Sequence, residues 1–258
     1  MKNYPAAIKL IIISCWILPV VPGSSQKPLT GINPIQLHDV LNVSRIKNSH
    51  YKLVMYSEHK DTIRDMAITD RHIERQIYNS ILCLKVTEIN TMPGSTTKTI
   101  VYADQKTLAP VYYESWKNDT MTRKAVFRGN EMTVSDFEND IESKSVHTIP
   151  GKPYFSHSFS ELVQSNDFSK TKVITFETLT PGRPIGRFVA ERTGEKEFVM
   201  AEGKAFLCWL VKFTRIDQEG KSSIVGYRFI DKVSGQVIMY KSDLGPGKVY
   251  AYQQMFLQ

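Results

Sequence analysis

The sequence predicts a mainly β protein: antiparallel strands, with one or two short helices lying across them. Three observations carry this. The stretch Lys204–Phe256 holds four runs with strand character, Ala205–Ile216, Ser223–Ile230, Gln236–Lys241 and Lys248–Phe256, joined by loops of about five residues that contain glycine. Such loops join neighbouring antiparallel strands, whereas a parallel return needs a dozen residues or more. From Tyr51 the side chains alternate with a period of two, as a half-buried strand requires. Finally, Ala205–Val211 is apolar on both parities, so that strand should be covered on both faces.

In chain order, Met1–Lys9 carries two lysines and no acid, Leu10–Val21 is apolar, and Pro22–Ser25 is small and turn-forming. That is the layout of a secretory signal peptide over residues 1–25, leaving residues 26–258 as one domain. The apolar run is too short for a permanent bilayer span. Ile12-Ile13-Ser14-Cys15 also has the form of a bacterial lipoprotein signal, but Trp16–Val21 stays apolar beyond the cysteine. Cleavage after Gly23 or Ser25 is expected, giving a soluble exported protein that begins between Ser24 and Lys27.

Asn33-Pro34 reads as a helix start, with Asn as cap and Pro in the first turn, and predicts a helix near 34–42. Strands follow over Tyr51–Tyr56, Asp65–Asp70, Arg71–Asn79 and Ser80–Asn90, with a turn at Pro93-Gly94. Thr97–Ala103 and Ala109–Trp116 form a hairpin that can be set over the one at Phe229–Ser242. Asp104, Tyr113 and Ser115 recur in spacing as Asp231, Tyr240 and Ser242. An Asp at such a turn accepts hydrogen bonds from backbone N–H groups just beyond it. A duplicated ligand-contacting hairpin is one reading; two good hairpins built by the same turn chemistry is the plainer one.

Lys124–Val134 and Asp136–Glu142 are further strands, and Pro150-Gly151 and Pro153 break the pattern. Ser156 or Ser158 should cap a helix over Phe159–Gln164, with Ser158 and Glu161 spaced as a capping box and Phe159, Leu162 and Val163 as its apolar edge. Thr171–Thr178, Ile185–Arg192 and Glu195–Ala201 lead back to the final meander.

The charges exclude little and favour nothing unusual. Loss of the leader takes basic residues from 33 to 31 against 26 acids, or +5, scattered with no stripe for nucleic acid. The six histidines form no metal-ligand spacing on one element, and no cofactor or nucleophile-elbow motif occurs. Gly182–Gly186 is flanked by Pro181, contains Pro184 and leads into a strand, which argues against a phosphate cradle. Asp136, Glu138 and Asp140 alternate on one strand face, an arrangement that can bind calcium but more often is solvated. Asn42-Val43-Ser44 and Asn118-Asp119-Thr120 match the glycosylation triplet. Cys83 and Cys208 each sit in an apolar run and are expected to be buried free thiols rather than a disulfide.

Tyr102–Ser115, Pro153–Leu162, Gly203–Trp209 and Phe229–Tyr240, in that order after a signal peptide, make the chain resemble a bacterial family of exported β-rich proteins of unknown function, common in Bacteroidetes. That family is related in architecture to the lipoprotein carriers LolA and LolB. The resemblance spans about residues 50–256 and implies a strongly curved, unclosed antiparallel β-barrel with helices over its concave side, which in the carriers holds lipoprotein acyl chains. It supplies no catalytic residue, and no arginine in the sequence could be assigned to the carriers' lid-locking role.

The expected function is therefore that of a periplasmic or envelope-associated binding protein, not an enzyme, holding a lipid or acyl chain against the curved sheet. Trp209, Tyr227, Phe229, Tyr240, Tyr250 and Tyr252 are the expected lining. No metal or cofactor is expected; partners are an acyl chain and an envelope protein, not nucleic acid. The alternative is a structural or protein-interaction module whose barrel is plugged by its own helix.

Overall fold

The computed structural model describes residues 34–59, 62–139, 141–199, 203–243 and 250–257, with the side chains at 58–59, 63–66, 243 and 250–257 outside the description. The expected leader and Cys15 lie outside the described residues. The strands are β1 (Ile35–Gln36), β2 (Ser49–His59), β3 (Thr62–Tyr78), β4 (Ile81–Met92), β5 (Ser95–Asp104), β6 (Pro110–Lys117), β7 (Thr120–Arg128) and β8 (Glu131–Glu138). Then come β9 (Ile141–Thr148), β10 (Tyr154–Phe155), β11 (Val173–Leu179), β12 (Gly186–Val199), β13 (Ala205–Ile216), β14 (Ser222–Asp231), β15 (Val237–Asp243) and β16 (Tyr250–Leu257). The helices are α1 (Leu37–Val40) and α2 (Phe159–Ser165).

Sequence neighbours are sheet neighbours almost throughout. The ladder runs β1-β11-β12-β13-β14-β15-β16-β2-β3-β4-β5-β6-β7-β8-β9, with β10 also on β11. The pairs are antiparallel except those of β1 and β10 with β11. β16 joins the two halves, pairing with β15 on one side and β2 on the other. The ladder ends at β1 and β9, so this mainly β barrel is unclosed.

One apolar layer collects side chains from both halves. Leu84, Val86, Val101 and Ala103 come from β4 and β5; Ile174, Ala190, Val211 and Phe213 come from β11, β12 and β13. Phe155, Leu162, Val163 and Phe168 of the segment around α2 fill the space between them. The face of the sheet that bears this segment is termed the inner face. The outer face carries a smaller cluster in which Cys208, Phe229 and Ile238 pack with Phe198, Phe206, Leu210 and Met239. The two-sided apolar strand is thus covered on both sides, as its sequence requires.

Several elements differ from the sequence reading. The helix expected near 34–42 shrinks to α1, because Ile35 and Gln36 pair with Ile174 and Thr175 instead. The expected strand Lys124–Val134 is broken at Gly129, whose positive φ makes the β7–β8 turn. The two strands read over 65–79 are one, β3. Likewise the two over 185–201 are one, β12, with a bulge between Arg192 and Gly194. Asp136 does not stand free on a solvated face: it pairs with Arg123.

The two hairpins compared in sequence share one hydrogen-bond pattern. Asp104 Oδ1 accepts from the Thr107 N–H at 2.8 Å and the Thr107 hydroxyl at 2.9 Å. Asp231 Oδ2 accepts from the Ser234 N–H at 2.8 Å and the Ser234 hydroxyl at 2.6 Å. The Leu108 and Gly235 N–H groups close back on the carbonyls of Asp104 and Asp231, each at 2.8 Å. Cys83 lies opposite Asp104 in the ladder, and Cys208 lies opposite Asp231.

Both cysteines are free and buried. Burial, and then the neighbouring aspartate, pushes the Cys208 thiol up to about 12 and raises that of Cys83. Thiolate is the reactive form. Native protein at neutral pH should therefore leave Cys83 and Cys208 unmodified by iodoacetamide, and both should alkylate in denaturant without reductant. Mass spectrometry of the two samples checks this, and a Cys83–Cys208 disulfide in the denatured sample would contradict it.

Candidate functional site

The inner face is where chemistry concentrates, and the segment that covers it determines the arrangement. Phe155, Leu162 and Val163 are fully buried, so α2 lies on its expected apolar edge. Its C-terminal carbonyls, which no helix can satisfy internally, are met from outside. The Asn42 N–H donates to the Ser165 carbonyl at 3.1 Å, and Arg45 Nε donates to the Gln164 carbonyl at 3.2 Å.

The N-terminal end is not capped as the sequence implies. The Ser158 hydroxyl is buried without a partner, and Glu161 does not fold back to it. Glu161 turns under the helix to Arg71 of β3, with Oε2 2.6 Å from Nη2. Arg71 also donates to the His157 carbonyl at 2.6 Å and meets Glu88 of β4 at 2.8 Å. His157 Nδ1 lies 2.9 Å from the other Glu88 oxygen. The arginine is 4% exposed and Glu161 only 1%, so this is a buried joint between helix and sheet.

Burial acts on both carboxyls of the joint. It works against the Glu88 carboxylate, but the Arg71 guanidinium and His157 outweigh it and hold that carboxyl at about 2. Burial raises the Glu161 carboxyl above the usual range despite Arg71. Burial likewise raises the Tyr51 phenol. One guanidinium thus serves two carboxylates of unequal acidity.

The other half of the inner face is aromatic. The Phe159 ring packs against Phe176, Phe188 and Phe213 at centroid distances of 5.2, 5.2 and 5.1 Å. Arg228 of β14 lies among these rings, its guanidinium 4.1 Å from the centroid of Phe159, 4.3 Å from Phe213 and 4.4 Å from Tyr240. Next to it, Gly226 adopts φ 149°, and a Cβ there would meet the Lys241 carbonyl. No carboxylate among the described residues pairs with Arg228, and its Nη1 is buried without a hydrogen bond.

Of the lining expected from sequence, the inner face receives Trp209 and Tyr240. Trp209 packs against the main apolar layer, with Lys232 Nζ 3.9 Å and the Arg192 guanidinium 4.7 Å from its ring centroid. Tyr227 and Phe229 are corrected to the outer face. Register is the reason: Trp209 pairs with Ile230 and Val211 with Arg228, so Phe229 falls opposite Leu210 and joins the outer cluster. Tyr250 and Tyr252 pair in the backbone with Asp243 and Lys241, and their side chains lie outside the described residues. Sequence reading missed Arg71, Glu88, Glu161 and Arg228.

A cleft of about 550 Å³ opens at the sheet edge, where Leu37, Lys152, Tyr154 and Arg187 join Phe176 and Phe188 of the aromatic half among its walls. Among the described residues no helix is long and apolar enough to cross a membrane, and no group of His, Cys, Asp and Glu side chains forms a metal site.

A family model described as a protein of unknown function, DUF3108, matches residues 50–251. The chain belongs to the DUF3108 family. The DUF3108 match runs from β2 into β16 and includes Arg71, Glu88, Glu161, Arg228 and Tyr240. No curated protein matches the chain. A likeness is found to the crystal structure of the hypothetical lipoprotein YmcC from Escherichia coli (K12), at 9% identity over 82% of this chain and 89% of that one. Its TM-score is 0.29, too low to transfer any structural detail to this DUF3108 protein.

Two outcomes follow from the joint. Removing Arg71 alone leaves two buried carboxylates facing each other, which costs about 3–5 kcal/mol. Urea denaturation should show that loss for Arg71→Met, and Arg71→Met combined with Glu161→Leu should recover part of it. The acid limb carries the second outcome. Because the folded state lowers the Glu88 pKa from 4.5 to about 2, its contribution is complete above pH 4.5 and is lost as pH falls towards 2. Glu88→Gln should therefore lower stability at pH 7 and flatten its fall between pH 4.5 and 2.

Proposed function

We propose that this DUF3108 protein is an exported, non-catalytic binding protein of the cell envelope that holds an apolar or amphiphilic ligand on the inner face of its sheet. The observation that carries this reading is a part of the inner face that the covering segment leaves open. α2 and its flanking segment bury the inner positions of β4, β5 and β13. The row that starts at Arg228 and Tyr240 continues through the ladder across β16 to Met55, which stays 39% exposed. A chain lying along this row would have an aromatic cage at one end and Met55 at the other, with Gln253 of β16 between them in the register.

The leader pattern at residues 1–25 supports export. The resemblance to LolA and LolB supports an acyl chain as the ligand and an envelope partner as its donor or acceptor. Burying a ten-carbon chain offers about 8 kcal/mol at about 0.8 kcal/mol per methylene, less the cost of immobilising it. Affinity on the order of micromolar is within reach without any catalytic group.

A second reading, a structural or interaction module plugged by its own segment, is favoured by the complete burial of Phe155, Leu162 and Val163. Fluorescence separates the two. In a Trp116→Phe variant of the mature protein, Trp209 on the inner face is the remaining tryptophan. Titration with fatty acids, lysolipids and an acylated peptide should give a saturable change in its emission for at least one of them. A flat response to all three, with binding absent by calorimetry as well, would leave the plugged module standing.

A further inference from the structure

We infer that Arg228 is an oxyanion-binding residue, and that it takes the carboxylate or phosphate head of an amphiphile whose chain lies on the inner face. This deepens the proposed binding function and rests on it for the chain, though not for the anion.

Arg71 and Arg228, both on the inner face, make the case by contrast. Arg71 is met by two carboxylates and a main-chain carbonyl, so its charge is neutralised within the protein. Arg228 is packed on three aromatic rings and has no acidic partner among the described residues. Tyr240, opposite it in the ladder, donates its hydroxyl to the Val225 carbonyl at 3.4 Å, and Ser242 donates to the same oxygen.

The rings attract the cation through their faces but cannot satisfy in-plane N–H donors. Nη1 is buried with no acceptor, while the residue as a whole is half-buried. Burial lowers the guanidinium to about 10, so it remains charged at neutral pH and lacks a counterion. A planar fork with free in-plane donors fits the two oxygens of a carboxylate or phosphate side by side.

The geometry also says where the rest of the ligand goes. Arg228, Tyr240 and Met55 share one row of the inner face through the backbone register. An oxyanion at Arg228 would place its chain along that row, towards the exposed Met55. A head group with no negative charge would leave the arginine as it is now.

Calorimetry on the mature protein tests this with dodecanoate, dodecyl phosphate, dodecan-1-ol and inorganic phosphate as probes. Hydrogen bonds to a charged group support a preference of about tenfold or more for the two anionic amphiphiles over the alcohol. Arg228→Gln should reduce that ratio to within about twofold while leaving the affinity for the alcohol within about twofold. Arg228→Lys, which keeps the charge and loses the fork, should retain part of the preference. Thermal denaturation of both variants shows whether the fold survives. The wild-type ratio of anion to alcohol needs no variant at all.

Equal binding of alcohol and anions by wild type would overturn the assignment of Arg228 while leaving the amphiphile reading intact. Arg228-dependent binding of inorganic phosphate, with no amphiphile bound, would support the oxyanion site and remove the amphiphile. No binding of any probe would overturn both.

Discussion

A guanidinium buried under an apolar helix is tolerable when carboxylates come with it, and at Arg71 they arrive from two directions. Glu88 comes from the neighbouring strand, directly opposite in the ladder, and Glu161 comes from the helix above. An unpaired charge in such a place costs several kcal/mol. The rotation of α2 about its axis is therefore fixed by which residue must point down. With Glu161 aimed at the sheet, Leu162 and Val163 enter the apolar layer beside it and Phe159 reaches the aromatic half. The capping box at Ser158 is given up in exchange. A local signal worth about 1 kcal/mol yields to a buried pair whose disruption costs more.

The two hairpins show how one backbone solution carries two different faces. Their aspartate turns, the cysteine opposite each aspartate, and the inner tyrosines Tyr113 and Tyr240 correspond position by position. Beneath that scaffold the inner side chains diverge. Where β5 places Val101 opposite Val86, β14 places Arg228 opposite Val211. Where β4 places Glu88 opposite Arg71, β13 places Phe213 opposite Ala190. One half has its charge paired and sealed, and the other has its charge set among rings. Turn chemistry is fixed by hydrogen bonds within a few residues, so it repeats; the inner face is free to differ.

Much of the fold was legible because it is local. Asp104 and Asp231 announce their turns, the glycine-bearing loops fix the C-terminal meander, and Phe159, Leu162 and Val163 mark the apolar edge of α2. The joint was not legible, because Glu161 lies 90 residues from Arg71. A hairpin turning at Asn79 and Ser80 does set Arg71 opposite Glu88, but that register does not say the pair is buried. Arg228 was missed for a different reason. Tyr227-Arg228-Phe229 alternates as if the aromatics faced inward and the arginine outward, and the structure has the reverse. The outer cluster around Cys208 and Ile238 gives Phe229 an apolar home of its own, and alternation alone cannot tell which of two apolar faces is the main one.

The magnitudes also decide where the covering segment can yield. At Arg71 the segment is held by a buried ion pair and a main-chain carbonyl, and at its far end by the Asn42 N–H and Arg45. Breaking the ion pair would cost about 3–5 kcal/mol. Phe159 is held by ring contacts with Phe176, Phe188 and Phe213, each worth about 0.5–1.5 kcal/mol beyond the area it buries. A side-chain rotation there moves no backbone anchor and breaks no charge pair. Phe159 is therefore the most weakly held point of the cover. The Phe159 ring lies directly on the guanidinium of Arg228, a cation with no acidic partner among the described residues.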